Sequence, residues 1–115
     1  MPQPRLHHGD VYIAQLDPTV GGEIRKTRPV VIISNDVINA HSRVVVVAPV
    51  TSNVERASPS HIIVSAGTAG LVVDSRILTD QVRAIDRWRL VQRIGRLPGG
   101  VRAQVKEALR ATFDL

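Results

Sequence analysis

Two short clusters in the 115-residue chain carry the side chains best suited to handling a phosphate group. The first sets Glu23, Arg25, Lys26 and Arg28 within six positions, on a stretch that opens with Gly21-Gly22 and ends at Pro29. A residue that precedes proline is pushed out of the α region, so the backbone at Arg28 is extended. A guanidinium fixed at the root of a glycine-containing loop can clamp a phosphate through its planar fork. The same charges also suit a solvated hairpin tip. The second cluster is Thr51-Ser52-Asn53, directly after an apolar run. Hydroxyls at a strand exit can donate to phosphate oxygens, or simply close a Ser/Thr turn.

Other constellations are weaker. Gly21-Gly22 is not followed by the GK[ST] that completes a P-loop. His7, His8, His41 and His61 show no metal spacing on a predicted helix, and His7-His8 would face opposite sides of a strand. They read as surface or hydrogen-bonded histidines rather than an acid–base pair. Asp10, Asp17, Asp36, Asp74, Asp80 and Asp86 fall at strand ends. There they suit turns and caps better than a two-metal site. Neither a metal nor a cofactor is expected.

The elements that must position these groups are mostly strands. Residues 10–16 alternate apolar and polar side chains and predict a strand. Residues 17–27 predict a long loop. Residues 29–34, with Val30-Val31-Ile32-Ile33, predict a strand buried on both faces. Asn35-Asp36 suit the cap of a short helical turn through Asn39. Residues 43–50, with four consecutive valines, form the strongest predicted strand, followed by a polar loop over 51–59. Residues 61–64 predict a strand and 66–70 a turn. Residues 71–78 predict one strand, or two broken near Asp74-Ser75, and 81–85 a further strand. Asp86 suits the cap of a short turn through Leu90. After Pro98-Gly99-Gly100, the spacing of Val101, Val105, Ala108, Leu109, Thr112 and Phe113 predicts an amphipathic helix. Five to seven short strands and one C-terminal helix imply a small, strongly bent β-sheet or partial barrel, with the helix covering one open side. The order is not a repeating βαβ pattern, which excludes a Rossmann-like sheet.

Composition sets the outer bounds. The length fits a single domain over residues 1–115, with residues 1–8 expected to fray. Fifteen basic residues face ten acidic ones, for a net charge of +5, and only Lys26 and Lys106 are lysine. That excess favours an anionic partner, either nucleic acid or an acidic protein segment. With 43% hydrophobic residues the chain is not a disordered basic tail, and without cysteine it is no disulfide scaffold or Cys-ligated zinc module. The start lacks a signal-peptide run, and no apolar stretch nears the roughly 20 residues of a membrane span. The expectation is a cytoplasmic, soluble protein without a membrane partner. Tyr12, Trp88 and Phe113 are the only aromatic residues.

Taken in order, several motifs resemble one known family. They are Gly9-Asp10-Val11-Tyr12, the stretch from Asp17 through Gly21-Gly22-Glu23, Arg28-Pro29 and on to Asp36, then Pro49-Val50-Thr51-Ser52, then Asp74-Ser75 with Asp80-Gln81-Val82-Arg83-Ala84-Ile85-Asp86. Together they are similar to the MazF/PemK toxins, from Gly9 to the C-terminal helix. The resemblance implies a mainly β fold with a C-terminal helix, the small SH3-like barrel of the CcdB and Kid toxins. It implies a homodimeric endoribonuclease, the toxin of a type II toxin–antitoxin system. Such an enzyme cuts single-stranded RNA at short sequences without a metal, leaving a 2′,3′-cyclic phosphate and a 5′-hydroxyl, and so arrests translation. It further implies a MazE-like antitoxin partner with an acidic C-terminal tail.

By that likeness Arg28 and Thr51 match the residues most often given catalytic roles, and Glu23 matches a loop acid. An arginine does not give up its proton near neutral pH. Arg28 therefore suits charge neutralisation in the transition state, with Thr51 as a fixed donor and Glu23 as a proton acceptor. Arg25, Lys26, Ser52, Gln81, Arg83 and Arg87 are the expected RNA-binding residues. With so few rings available for stacking, arginine planes must do most of the holding. Two other classes remain open: a protein-binding toxin that poisons a topoisomerase, and a catalytically inert basic barrel. Valine-rich residues 43–50 and residues 71–73 are candidate dimer surfaces.

Overall fold

The computed structural model describes residues 5–16, 27–55 and 58–115. Seven strands form one antiparallel sheet: β1 (Asp10–Gln15), β2 (Thr27–Ile32), β3 (Val44–Thr51), β4 (Ile62–Val64), β5 (Ser75–Ile77), β6 (Arg83–Asp86) and β7 (Leu90–Arg96). Two helices accompany it, α1 (Asp36–His41) and the C-terminal α2 (Gly99–Phe113). The neighbours run β4-β5-β3-β2-β1-β7, and β6 adds to β3. The expected class, a small bent sheet with a C-terminal helix, is the one observed.

The bend originates in β3. Its first half pairs with β6, from Val44↔Asp86 to Val47↔Arg83, and its end pairs with β5 through Val50↔Ile77 and Thr51↔Arg76. On its other edge β2 runs alongside, with Val30↔Pro49 and Ile32↔Val47. Successive side chains in a strand point to opposite faces, and both faces of β1, β2 and β3 are covered. Tyr12, Ala14, Val30, Ile32, Val45, Val47 and Ile85 form one core. Val11, Val31, Ala48, Val50, Ile77 and Val105 of α2 belong to the other. The β-branched runs are therefore internal walls. Val45 and Val47 are fully buried, whereas Val44 is 40% exposed.

Three expectations change. First, residues 71–74 form no strand, and only Ser75–Ile77 pairs. Second, β7 has no counterpart in the sequence reading. None of its side chains is buried, and two register shifts against β1 disturb the alternation that would reveal it. Third, residues 5–8, expected to fray with the rest of 1–8, are placed against the sheet, while residues 1–4 lie outside the described residues. Leu6 is 5% exposed and packs in the first core, and the His7 amide donates to Asp10 Oδ2 at 2.9 Å.

Two capping expectations hold. Asn35 Oδ1 accepts the Ile38 amide at 2.9 Å, and Asp86 caps a 3-10 turn over Arg87–Arg89. In α2, Val105 is fully buried and Val101 and Leu109 pack on the same core, whereas Phe113 stays 51% exposed.

A tight crossing ties β7 to the loop before β5. Gly70 has a positive φ of 81°, and a Cβ there would strike the Ile94 carbonyl; a Cβ on Gly95 would strike the Ala69 carbonyl. Both positions must be glycine for the two backbones to approach. The crossing sets Leu71, Val72 and Val73 over the open end of β2 and β3.

Candidate active site

Arg28 is the second residue of β2 and Thr51 is the last of β3. The β2–β3 register pairs Val30 with Pro49. Continued two residues further, the same register brings Arg28 opposite Thr51. Both side chains line one cleft of 540 Å³, together with Ile13, Pro29, Val50, Ser52, Leu71 and Ile94. The two clusters singled out in the sequence thus meet, although 23 positions separate their leading residues.

The cleft has an apolar floor and a small set of polar groups, the usual form of a ligand site. Arg28 is exposed, while its backbone is held by pairing with Ala14 of β1. Thr51 Oγ1 accepts the Asn53 amide at 3.2 Å, and Asn53 Oδ1 in turn accepts the Glu55 amide at 3.1 Å. This turn fixes the threonine rotamer and occupies an acceptor lone pair, leaving the hydroxyl proton to donate. Ser52 is exposed at the same mouth. A free guanidinium beside a fixed hydroxyl donor can hold a tetrahedral anion and stabilise added charge on it.

The other expected residues do not meet there. Glu23, Arg25 and Lys26 lie outside the described residues. Gln81 sits in the turn before β6, its amide bonded to the Leu78 carbonyl, and Arg83 is exposed on β6 opposite Val47. Neither lines the cleft. Arg87 faces a second hollow of 920 Å³, lined also by Tyr12, Arg43, Trp88 and Arg93. There Arg87 Nη2 donates to the Asn39 carbonyl, Arg43 pairs with Asp86 at 3.6 Å, and Arg93 donates to buried Asp10 at 3.3 Å. Burial, and then the Asp10 carboxylate, push the Tyr12 hydroxyl above the usual tyrosine range. Trp88 is 65% exposed, with the Arg89 guanidinium 4.9 Å from its ring centroid.

The sequence reading missed part of the cleft wall. Ser75 lines it, 3% exposed, with its hydroxyl donating to the Val73 carbonyl at 2.8 Å. It stood within a quoted motif but drew no role. Val72 and Val73 form an exposed apolar rim; no spacing marks them, because they belong to a loop. Among the described residues, no group of three or more His, Cys, Asp or Glu side chains is arranged to hold a metal. No helix of the described residues is long and apolar enough to cross a membrane.

Comparisons with known proteins give the family and the fold. Residues 7–113 match the family described as PemK-like, MazF-like toxin of type II toxin–antitoxin system. The chain is 38% identical over 115 residues to endoribonuclease MazF9 of Mycobacterium tuberculosis, covering 96% of this chain and 98% of that one. It is 40% identical over 111 residues to endoribonuclease EndoA of Bacillus subtilis, covering 96% of each. The solved Mycobacterium tuberculosis toxin MazF-mt6 superposes with a TM-score of 0.78 at 32% identity, over 92% of this chain and 97% of that one.

Proposed function

This chain belongs to the PemK-like, MazF-like family of type II toxins, and on that premise we propose that it is an endoribonuclease cutting single-stranded RNA at the Arg28–Thr51 cleft. The observation that carries the reading is the convergence of an exposed guanidinium, without an ion pair among the described residues, and a hydroxyl with a free proton on one cleft. The 2′-oxygen of the RNA attacks the adjacent phosphorus, the bond from phosphorus to the 5′-oxygen breaks, and the ends are a 2′,3′-cyclic phosphate and a 5′-hydroxyl. Glu23 accepts the 2′-hydroxyl proton, and the departing 5′-oxygen takes a proton from water. Arg28 forks onto the non-bridging oxygens and offsets the charge of the pentacoordinate state, with Thr51 donating to the same group. These parts require no metal.

The whole span acts as one toxin domain. Ser52, Gln81 and Arg83 guide the RNA backbone to the cleft, joined by Arg25 and Lys26, and Arg87 extends the positive surface on the far side of β3. The working form is a homodimer, cytoplasmic, with a MazE-like antitoxin whose acidic tail competes with RNA for these arginines. Cleavage of messages by the free toxin arrests translation.

The test is a digest of long unstructured RNA by the purified protein in EDTA. Discrete fragments with 5′-hydroxyl and cyclic-phosphate ends support the reading. Intact RNA overturns it, and blocked DNA supercoiling in its place would indicate a topoisomerase poison.

A further inference from the structure

Arg76 stands apart from the other arginines of the sheet. It is the middle residue of β5 and only 8% exposed. Its Nε and Nη1 are buried and donate to no partner among the described residues. Of the other sheet arginines, Arg93 and Arg96 approach Asp10 at 3.3 and 4.0 Å, while Arg28 and Arg83 are exposed to water. On the segment that follows β5, the Asp80 carboxylate is taken by His61 at 2.7 Å. A guanidinium withdrawn from water with open donors is costly, and an anion nearby relieves that cost.

The register sets Arg76 beside Thr51. Arg76 is the cross-strand partner of Thr51 on one side and of Ile63 on the other. The β2–β3 register, continued from Val30↔Pro49, brings Arg28 to the opposite flank of Thr51. Directly paired residues of antiparallel strands share a face, and neighbouring strands lie about 4.8 Å apart. Arg28, Thr51 and Arg76 therefore fall in one row across three strands, with a threonine between two guanidinium-bearing residues; Arg76 itself does not line the cleft, whose wall from β5 is Ser75. One of the two is exposed and can reach out to a ligand. The other is sunk in the sheet, where surrounding protein screens its charge less than water would.

We infer that Arg76 is a positioning residue of the cleft: a buried cation that draws the RNA phosphate toward Thr51 and favours the extra charge gained in the transition state. It acts through its field rather than by contact, because its open donors are covered. The inference rests on the nuclease reading and names a second source of positive charge for that site. Its sequence neighbours give no hint of it, since Ser75-Arg76-Ile77 reads only as a short strand.

The test compares wild type with Arg76→Met, which keeps the stem and removes the charge, and Arg76→Lys, which keeps both. Arg76→Gln serves as the neutral variant if the methionine protein does not fold. Thermal unfolding comes first. Single-turnover cleavage follows, and then binding of the same RNA carrying a 2′-deoxy sugar at the cut site across a salt series. The neutral variant should melt at or above wild type and cleave at least about tenfold more slowly. The slope of log K against log salt should fall by about 0.7, the value for one single-strand phosphate charge. The lysine variant should stay within a few-fold of wild type. Neutral and lysine variants impaired equally, or a folded neutral variant cutting within twofold of wild type, overturn the inference. If wild type leaves RNA intact, the nuclease reading falls by itself. The salt slope then still decides Arg76: an unchanged slope overturns it, and a reduced one supports it.

Discussion

The Arg28–Thr51 cleft and the hollow around Tyr12 and Trp88 are both arginine-bearing, yet the larger of the two is the poorer anion site. The hollow measures 920 Å³ against 540 Å³ for the cleft. Of the four arginines on its wall, Arg5 has no partner among the described residues, and the other three are engaged: Arg43 with Asp86, Arg93 with Asp10, and Arg87 with the Asn39 carbonyl. These three fasten β6, β7 and α1 to the sheet. In the cleft no carboxylate lines the wall, and Arg28 has no ion pair among the described residues. Size and arginine count thus say less about a site than which cations remain uncommitted, because a guanidinium already bound must lose one partner to gain another.

This contrast is broken most directly at Arg28. Arg28→Ala should lower the cleavage rate by at least about 10³-fold, with Tm unchanged. Arg87→Ala should do the reverse, with cleavage within a few-fold of wild type and a loss of about 1 kcal/mol in urea unfolding. A cleavage loss at Arg87 that matched Arg28 would join the two regions into one site. Next in size is Thr51→Val, expected to slow cleavage about 10²-fold, with Thr51→Ser restoring most of the rate. Single-turnover kinetics on one defined RNA measure both.

On the structural side, Asp10→Ala removes a fully buried carboxylate that accepts from the His7 amide and Arg93. Its half-exposed arginine partners moderate the loss, to about 1–3 kcal/mol. Binding of an uncleavable RNA should stay the same, which an electrophoretic titration would check.

The smallest effect concerns His8. Burial, with Lys106, Arg102 and Arg96 adding to it, holds this imidazole below the usual histidine range. The folded state then prefers the neutral ring. Below about pH 6.5 the unfolded chain binds more protons than the folded one, so stability falls as pH drops through that window. His8→Asn should show a smaller drop in urea midpoint between about pH 7.5 and 5.5. Equal drops in both proteins would remove His8 as the cause.

Much of the fold was legible because burial leaves a period in the sequence. The run Val30–Ile33 is β-branched without interruption because both of its faces are covered, and Val45 and Val47 are fully buried. The caps at Asn35 and Asp86 and the apolar stripe around Val105 were readable for similarly local reasons. β7 was not, because it is held by long-range pairing to β1 through two register shifts, and its own residues alternate poorly. Of the candidate site, Arg28, Thr51 and Ser52 could be selected by residue type and setting. Ser75, Val72, Ile94 and Arg76 could not, since nothing in their immediate sequence says which strand ends they will face.

By itself the sequence determined which residues are the candidates for the chemistry: an arginine held extended by Pro29, and hydroxyls at the end of a valine-rich strand. Backbone restriction and side-chain type act over one or two residues and can be read in place. Only the tertiary structure decided which of the arginines stay free. That depends on cross-strand register and on the carboxylates each guanidinium meets, and both are set by pairings tens of residues apart. It brought Thr51 between Arg28 and Arg76, and it tied Arg43, Arg87 and Arg93 into the scaffold.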